Sequence, residues 1–243
     1  MTLYRLHPDV VWIARPDGSA GLMHLSANVC VIDSDSAALL RSMLSIGPER
    51  AVYDLVARHD LGEADAWEEV KDFITELCEQ RLIQPLPHRD SWRERVRECT
   101  ARAFVPGMLR LVLLVMRSPR GKARGLLWTA RLAVAQFGWA TTMRMWERIF
   151  PQPAADKPAS GETLDAIDHA VRYAASRSLI TMECKERSLA CLALARGNEI
   201  RTQLIVGVSQ DPIQAHVWVE AGGRIISDDP EHFLSFEPVM RYG

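Results

Sequence analysis

A thiol attacks a carbonyl carbon as its thiolate, and a free cysteine with a pKa of about 8.5 is mostly protonated at neutral pH. Two devices favour the thiolate: unpaired amides at a helix N-terminus, and a neighbouring imidazolium. Cys184 has access to the first, because Cys184-Lys-Glu-Arg-Ser-Leu-Ala opens a helix expected over about 184–195. His216 offers the second, at the start of a strand in Gln-Ala-His-Val-Trp-Val-Glu. An imidazole needs a group to fix its tautomer, and Asp228 and Asp229 both follow on the next strand. Cysteine, histidine and aspartate so arranged can carry nucleophilic acyl transfer through a thioester, with helix-start amides holding the oxyanion.

Hairpin register chooses between the aspartates, since a one-residue slip moves every side chain to the other face. A two-residue Gly222-Gly223 turn pairs 221 with 224 and sets Asp229 opposite His216. A three-residue loop pairs 220 with 224, so that Glu220 meets Arg224, Trp218 meets Ile226, and His216 meets Asp228. The second register joins opposite charges and apolar partners, and it favours Asp228. Each residue alone has a plainer role: a helical cysteine is usually a small core residue, and an aspartate near a turn usually shapes the turn. The ordered trio is what points to chemistry. Cys191 shares the helix face of Cys184 and is expected to be buried and inert.

The elements that must position these groups are legible from pattern. Strands are expected at Val10–Ala14, Leu22–Leu25 and Val29–Ile32, the first two joined through Pro16-Asp17-Gly18. Helices follow over about 35–44, from Pro48 to near His59, and over about 63–80, where Trp67, Val70, Phe73, Ile74 and Leu77 recur at helical spacing. Three strands then three helices describe a small winged-helix-like domain over 1–85. Residues 86–160 read as a linker, two or three amphipathic helices broken around Pro106-Gly and Ser118-Pro-Arg-Gly, and a proline-rich loop. Residues 161–243 read as a helix over about 162–177, the Cys184 helix capped by Gly197, and strands at 201–208, 215–221 and 224–227. The fold class is α+β, with an antiparallel sheet in the C-terminal part and the middle helices belonging to the same domain.

Charge is distributed by segment. Residues 1–88 hold 7 Lys/Arg against 14 Asp/Glu, residues 89–148 hold 13 against 4, and residues 149–243 hold 9 against 13. A net charge of −2 argues against a nucleic-acid partner, and the −7 of the head against a winged-helix DNA regulator. Five dispersed cysteines without a Cys-x-x-Cys pair and a start without a secretion signal make the cytoplasm the expected compartment. The apolar window 109–116 is too short to cross a bilayer. The basic middle segment could steer acidic peptide, contact a partner, or touch a membrane through Trp128, Trp139 and Trp146, but a solvated basic face on packed helices accounts for it more simply.

Cys184-x-x-Arg187-Ser188-Leu189, Ala215-His216-Val217-Trp218-Val219-Glu220 and the Gly-Gly hairpin ending in Ser227-Asp228 resemble the leader peptidases of lasso-peptide biosynthesis. The chain departs from that pattern at Val217, where alanine is usual, and at Lys185, where leucine is common. The likeness covers about 165–229. It implies a transglutaminase-like or papain-like cysteine peptidase domain with Cys184, His216 and Asp228 as catalytic residues, no bound metal and no required cofactor. The head resembles the small peptide chaperone of pyrroloquinoline quinone synthesis in element order. That likeness implies that a leader peptide adds as a strand to a sheet edge, with Val29, Val31, Trp67 and Val70 as contacts. Together they imply cleavage of a precursor so that an asparagine-synthetase-like lasso cyclase can close the core peptide into a ring, any ATP dependence acting through that cyclase. The alternatives are a transglutaminase-like amide transferase and a non-catalytic escort for the precursor.

Overall fold

A computed structural model describes residues 3–26, 29–86, 92–154, 159–227 and 232–243. The chain divides into two compact units, 1–92 and 93–243. It is a mixed α+β protein with eight helices and antiparallel sheets among the described residues.

In the first unit, β1 (Leu3–Leu6) is followed by β2 (Val10–Ala14), β3 (Ala20–His24) and β4 (Val29–Ile32). β2, β3 and β4 form an antiparallel meander, in which β4, among the described residues, is an outer strand paired to β3 alone. The β2–β3 turn rests on Gly18 at φ +85°, while the Asp17 carboxylate accepts the Ser19 N–H at 3.0 Å. Three helices follow: α1 (Ser34–Ser45), α2 (Pro48–His59) and α3 (Glu63–Glu79). Asp33 caps α1, its carboxylate accepting the Ser36 N–H at 2.8 Å, and Pro48 opens α2, where a missing N–H costs nothing. Leu22, Leu40, Met43, Ala51, Val70 and Leu77 meet in one core. The pattern missed a second small sheet, in which β1 pairs antiparallel with β5 (Ile83–Leu86). Four-residue strands containing Arg5 and Pro85 carry too little alternation to stand out.

The second unit opens with α4 (Trp92–Val115), α5 (Pro119–Phe137) and α6 (Trp139–Ile149). The expected break at Pro106 does not occur, and α4 runs through it. An interior proline deletes one hydrogen bond and bends a helix without having to end it. The break at Ser118-Pro is real: the Ser118 hydroxyl accepts the Gly121 N–H and starts α5. Trp139 and Trp146 are fully buried, which withdraws them as membrane contacts. Among the described residues, no helix is long and apolar enough to cross a membrane.

Then come α7 (Gly161–Ser176), α8 (Cys184–Gly197) and a four-stranded antiparallel sheet. Its strands are β6 (Thr202–Gln210), β7 (Ile213–Ala221), β8 (Arg224–Ile226) and β9 (Glu237–Tyr242), in the order β8-β7-β6-β9. α8 is almost wholly enclosed from Glu186 to Arg196. Gly197 is its last residue, and the left-handed position falls instead on Glu199 at φ +60°. β9 escaped the sequence reading because Glu237-Pro-Val-Met-Arg-Tyr alternates poorly and lies on an edge.

Candidate active site

Cys184 is the first residue of α8, partly exposed. The start of the helix is pinned from below by Glu186, a fully buried residue. One Glu186 carboxylate oxygen accepts the Glu183 N–H at 2.7 Å, and the other accepts from the Arg131 guanidinium of α5 at 3.3 Å. The Glu-x-x-Glu spacing is a capping-box variant with glutamate in the serine position, a signal present in the sequence but unread. Lys185 lies 3.1 Å from the Glu183 carboxylate. Partial burial works to raise the pKa of that carboxyl, but the hydrogen bond and charge of Lys185, with the charge of Arg131, outweigh it and hold it below the usual range. The helix end that carries the thiol is thus bordered by two carboxylates and two cations.

His216 stands on β7, opposite Gly207 of β6, and is 5% exposed. Its ring stacks on Trp218 at 6.1 Å and meets Phe236 at 5.0 Å. Trp218, Ile205 and Phe236 make a small cluster of their own. Gly207 is required there, because a Cβ on it would come within 2.6 Å of the Trp218 ring.

Two side chains fix α8 on the sheet, one to β7 and one to its neighbour β6. The Ser188 hydroxyl donates to the Val217 carbonyl at 2.8 Å, one residue from His216. Arg196 Nε donates to the Thr202 hydroxyl at 2.9 Å, and Thr202 is the strand partner of Ala221. From Ser188 to Arg196 the helix rises about 12 Å, and from Val217 to Ala221 the strand advances about 13 Å. The two run parallel, and one helical turn back from Ser188 brings Cys184 to the level of residues 215–216. Among the described residues the Cys184 thiol makes no hydrogen bond. The structure therefore aligns the helix start with the histidine along the strand without joining sulfur to imidazole.

Register overturns the hairpin expectation. Ala221 pairs with Arg224, Glu220 with Ile225 and Val219 with Ile226. Gly222 and Gly223 lie at φ +56° and +74°, the two consecutive left-handed residues of a tight two-residue turn. Turn geometry outweighed cross-strand charge pairing, and Arg224 finds its carboxylate on α7 instead, at Asp165, 2.7 Å away. The argument that preferred Asp228 over Asp229 is withdrawn with that register, and both residues lie outside the described ones.

Beyond Ile226 the chain turns at Ser227, held at φ +89°, a strained conformation for a residue with a side chain. The Asp168 carboxylate of α7 accepts the Ser227 N–H at 2.9 Å, and the Ser227 and Ser188 hydroxyls lie 3.1 Å apart. Asp168, Ser188 and Ser227 thus fix the chain where it leaves the sheet after β8. None of the three was singled out as a contact, because each belongs to a different element.

The other site expectations divide. Val29 and Val31 are 36% and 55% exposed on the outer strand β4, and Trp67 is half-buried beneath Lys71. Val70 is corrected: it is fully buried in the core of the first unit and has no surface to offer a peptide. Cys191 is wholly buried, and burial pushes its thiol far above the ordinary cysteine range. His7, Asp9 and His24 cluster with ligand-type atoms within 4.8 Å. Both imidazole Nδ1 atoms there accept backbone N–H bonds, from Asp9 and Ser26. That places the proton of a neutral ring on Nε2 and makes Nε2 a donor instead of a metal ligand.

A cysteine opening a buried helix that lies along an antiparallel sheet, with a histidine on the adjoining strand, supplies the residue types that thiol acyl transfer uses. Residues 126–241, from α5 to β9, match the family model of the transglutaminase-like superfamily, which includes cysteine peptidases and transglutaminases. No curated protein and no solved structure matches the chain.

Proposed function

We propose that this protein is a cysteine endopeptidase that removes the leader from a lasso-peptide precursor, with Cys184 as nucleophile, His216 as its base and Asp228, or its neighbour Asp229, as the group that orients the imidazole. The alignment of α8 on β7 through Ser188 and Arg196 is the observation that carries the reading. His216 takes the thiol proton, sulfur bonds to the scissile carbonyl carbon, and α8 amides hold the oxyanion. The C–N bond breaks as His216 returns the proton to the leaving amine, which becomes the N-terminus of the core peptide. Water then attacks the thioester and releases the leader as a carboxylic acid. Catalytic hydrogen bonds are often longer without substrate and shorten when it binds, so the pair closes as substrate enters.

The strand β4 supports leader capture, because among the described residues it is an outer strand of its sheet and carries two exposed valines. Capture on the same chain raises the concentration of the scissile bond at Cys184. The freed amine then passes to the cyclase, and the chain itself acts in the cytoplasm without a cofactor.

The test is mass analysis of products from a lasso-precursor peptide incubated with the protein. Wild-type protein yields free leader and core, while Cys184→Ala yields neither yet binds leader with unchanged affinity. An amine adduct in place of free leader would establish the transferase instead, and leader release left unchanged by Cys184→Ala in the full pathway would overturn the peptidase and favour the escort.

A further inference from the structure

A groove of about 550 Å³ lies over the segment joining α7 to α8, lined by Arg172, Ser176, Ser178, Thr181, Met182 and Arg187. Its wall at 178–182 ends two residues before Cys184 in the chain, and Arg187, which also lines it, lies three residues beyond Cys184 on the same helix face. The two guanidinium groups differ in their surroundings. Arg172 is satisfied by Asp168, Nε to carboxylate at 2.7 Å. Arg187 has a buried Nε that meets no hydrogen-bond partner among the described residues. Among the described residues, no acidic side chain lines the groove.

A buried guanidinium edge without an acceptor is unfavourable, and the group that best satisfies it is a carboxylate, whose two oxygens match the planar donor fork. Cβ atoms three positions apart on a helix are separated by about 5–6 Å. An extended peptide advances about 3.4 Å per residue, so a side chain held at Arg187 belongs to a residue within about two positions of the bond attacked at Cys184. Leu179, 97% exposed at the rim, offers apolar surface beside it.

We infer that Arg187 is a specificity-determining residue whose guanidinium receives the side-chain carboxylate of an aspartate or glutamate flanking the scissile bond. This rests on the reading of Cys184 as an accessible nucleophile, and the experiment separates the two. Iodoacetate and iodoacetamide both alkylate a thiolate with loss of iodide, and they differ by one carboxylate charge. The probe is the ratio of their rates at Cys184 in the full chain, resolved by peptide mass analysis, with exposed Cys99 as internal reference. A thiolate pKa change affects both reagents equally and cancels in the ratio.

A unit charge about 6 Å away favours the anionic reagent about threefold even in bulk water. The iodoacetate-to-iodoacetamide ratio at Cys184 is therefore expected to exceed that at Cys99 by at least threefold. It should fall to the Cys99 value in Arg187→Gln and be largely kept in Arg187→Lys, with both variants retaining the wild-type circular dichroism. Equal ratios at the two cysteines, or a Cys184 ratio indifferent to Arg187→Gln, would overturn the assignment while leaving the peptidase reading intact. Failure of Cys184 to react with either reagent would overturn both. If Arg187→Gln does not fold, Arg187→Lys with added 0.5 M salt serves: loss of the Cys184 preference supports the assignment, and a salt-independent ratio refutes it.

Discussion

Removal of the Glu186 carboxylate is the sharpest test of how the nucleophile is held. Glu186→Ala deletes the acceptor of the Glu183 N–H at 2.7 Å and one anchor of Arg131 at 3.3 Å. The Arg131 side chain is 37% exposed and can turn to water or to Glu183, so losing that contact costs less than about 1 kcal/mol. The stranded N–H costs about 1–3 kcal/mol, and the unfilled volume adds about 1 kcal/mol. The sum is about 3 kcal/mol. Glu186→Gln keeps volume and an acceptor, and is expected to cost about 1 kcal/mol. At about 2–4 °C per kcal/mol for a unit of this size, the melting temperature falls by about 6–12 °C in the alanine variant and 2–4 °C in the glutamine variant. Calorimetric melting of wild type and both variants at pH 7 reads this directly. If glutamine is as damaging as alanine, charge pairing with Arg131 and not capping holds the helix start, and the reasoning fails. An alanine variant within 2 °C of wild type refutes it too.

Gly207→Ala is expected to destabilise by about 1–3 kcal/mol and to shift tryptophan emission, because its Cβ would force the Trp218 ring away from β6; unchanged emission and melting refute it. Glu183→Gln probes the depressed carboxyl. A carboxyl lowered on folding stabilises above its ordinary pKa near 4.5 and loses that effect as pH falls through the folded value. Its side chain is 47% exposed, so wild type should exceed the variant by less than about 1 kcal/mol at pH 7, with the two converging as acid is added; a gap that widens toward low pH contradicts the sign. Val31→Lys on β4 is expected to weaken leader binding about tenfold, measured by fluorescence anisotropy, with melting within about 1 °C, since Val31 is exposed. Full affinity in that variant removes β4 as the docking strand.

The strong periodicities were legible in sequence. The α3 pattern ending in Leu77, the proline start of α2 and the Cys184 start of α8 all lie within a residue or so of where spacing and caps put them. Features that depend on competition between forces were less legible. The Gly222-Gly223 register turned on whether a tight turn or a Glu220–Arg224 pair would dominate, and Asp165, which settled Arg224, lies 59 residues earlier on another element. Val70 followed the helix period faithfully, but period alone separates buried from exposed faces only when the partner surface is known. The ties at Ser188, Asp168 and Ser227 join α8, α7 and the end of β8, and no local pattern announces them.

The near-complete enclosure of α8 has an evolutionary consequence. A rod wedged on all sides at interior packing density cannot shift without disturbing every neighbour at once. New substrate preferences in such a framework must arise in the residues that rim its free end, chiefly the short 178–182 stretch, where side chains can be exchanged with little effect on the scaffold. Divergence among proteins built this way should therefore concentrate at that rim and at the groove-facing Arg187, and spare the enclosed positions 188–193.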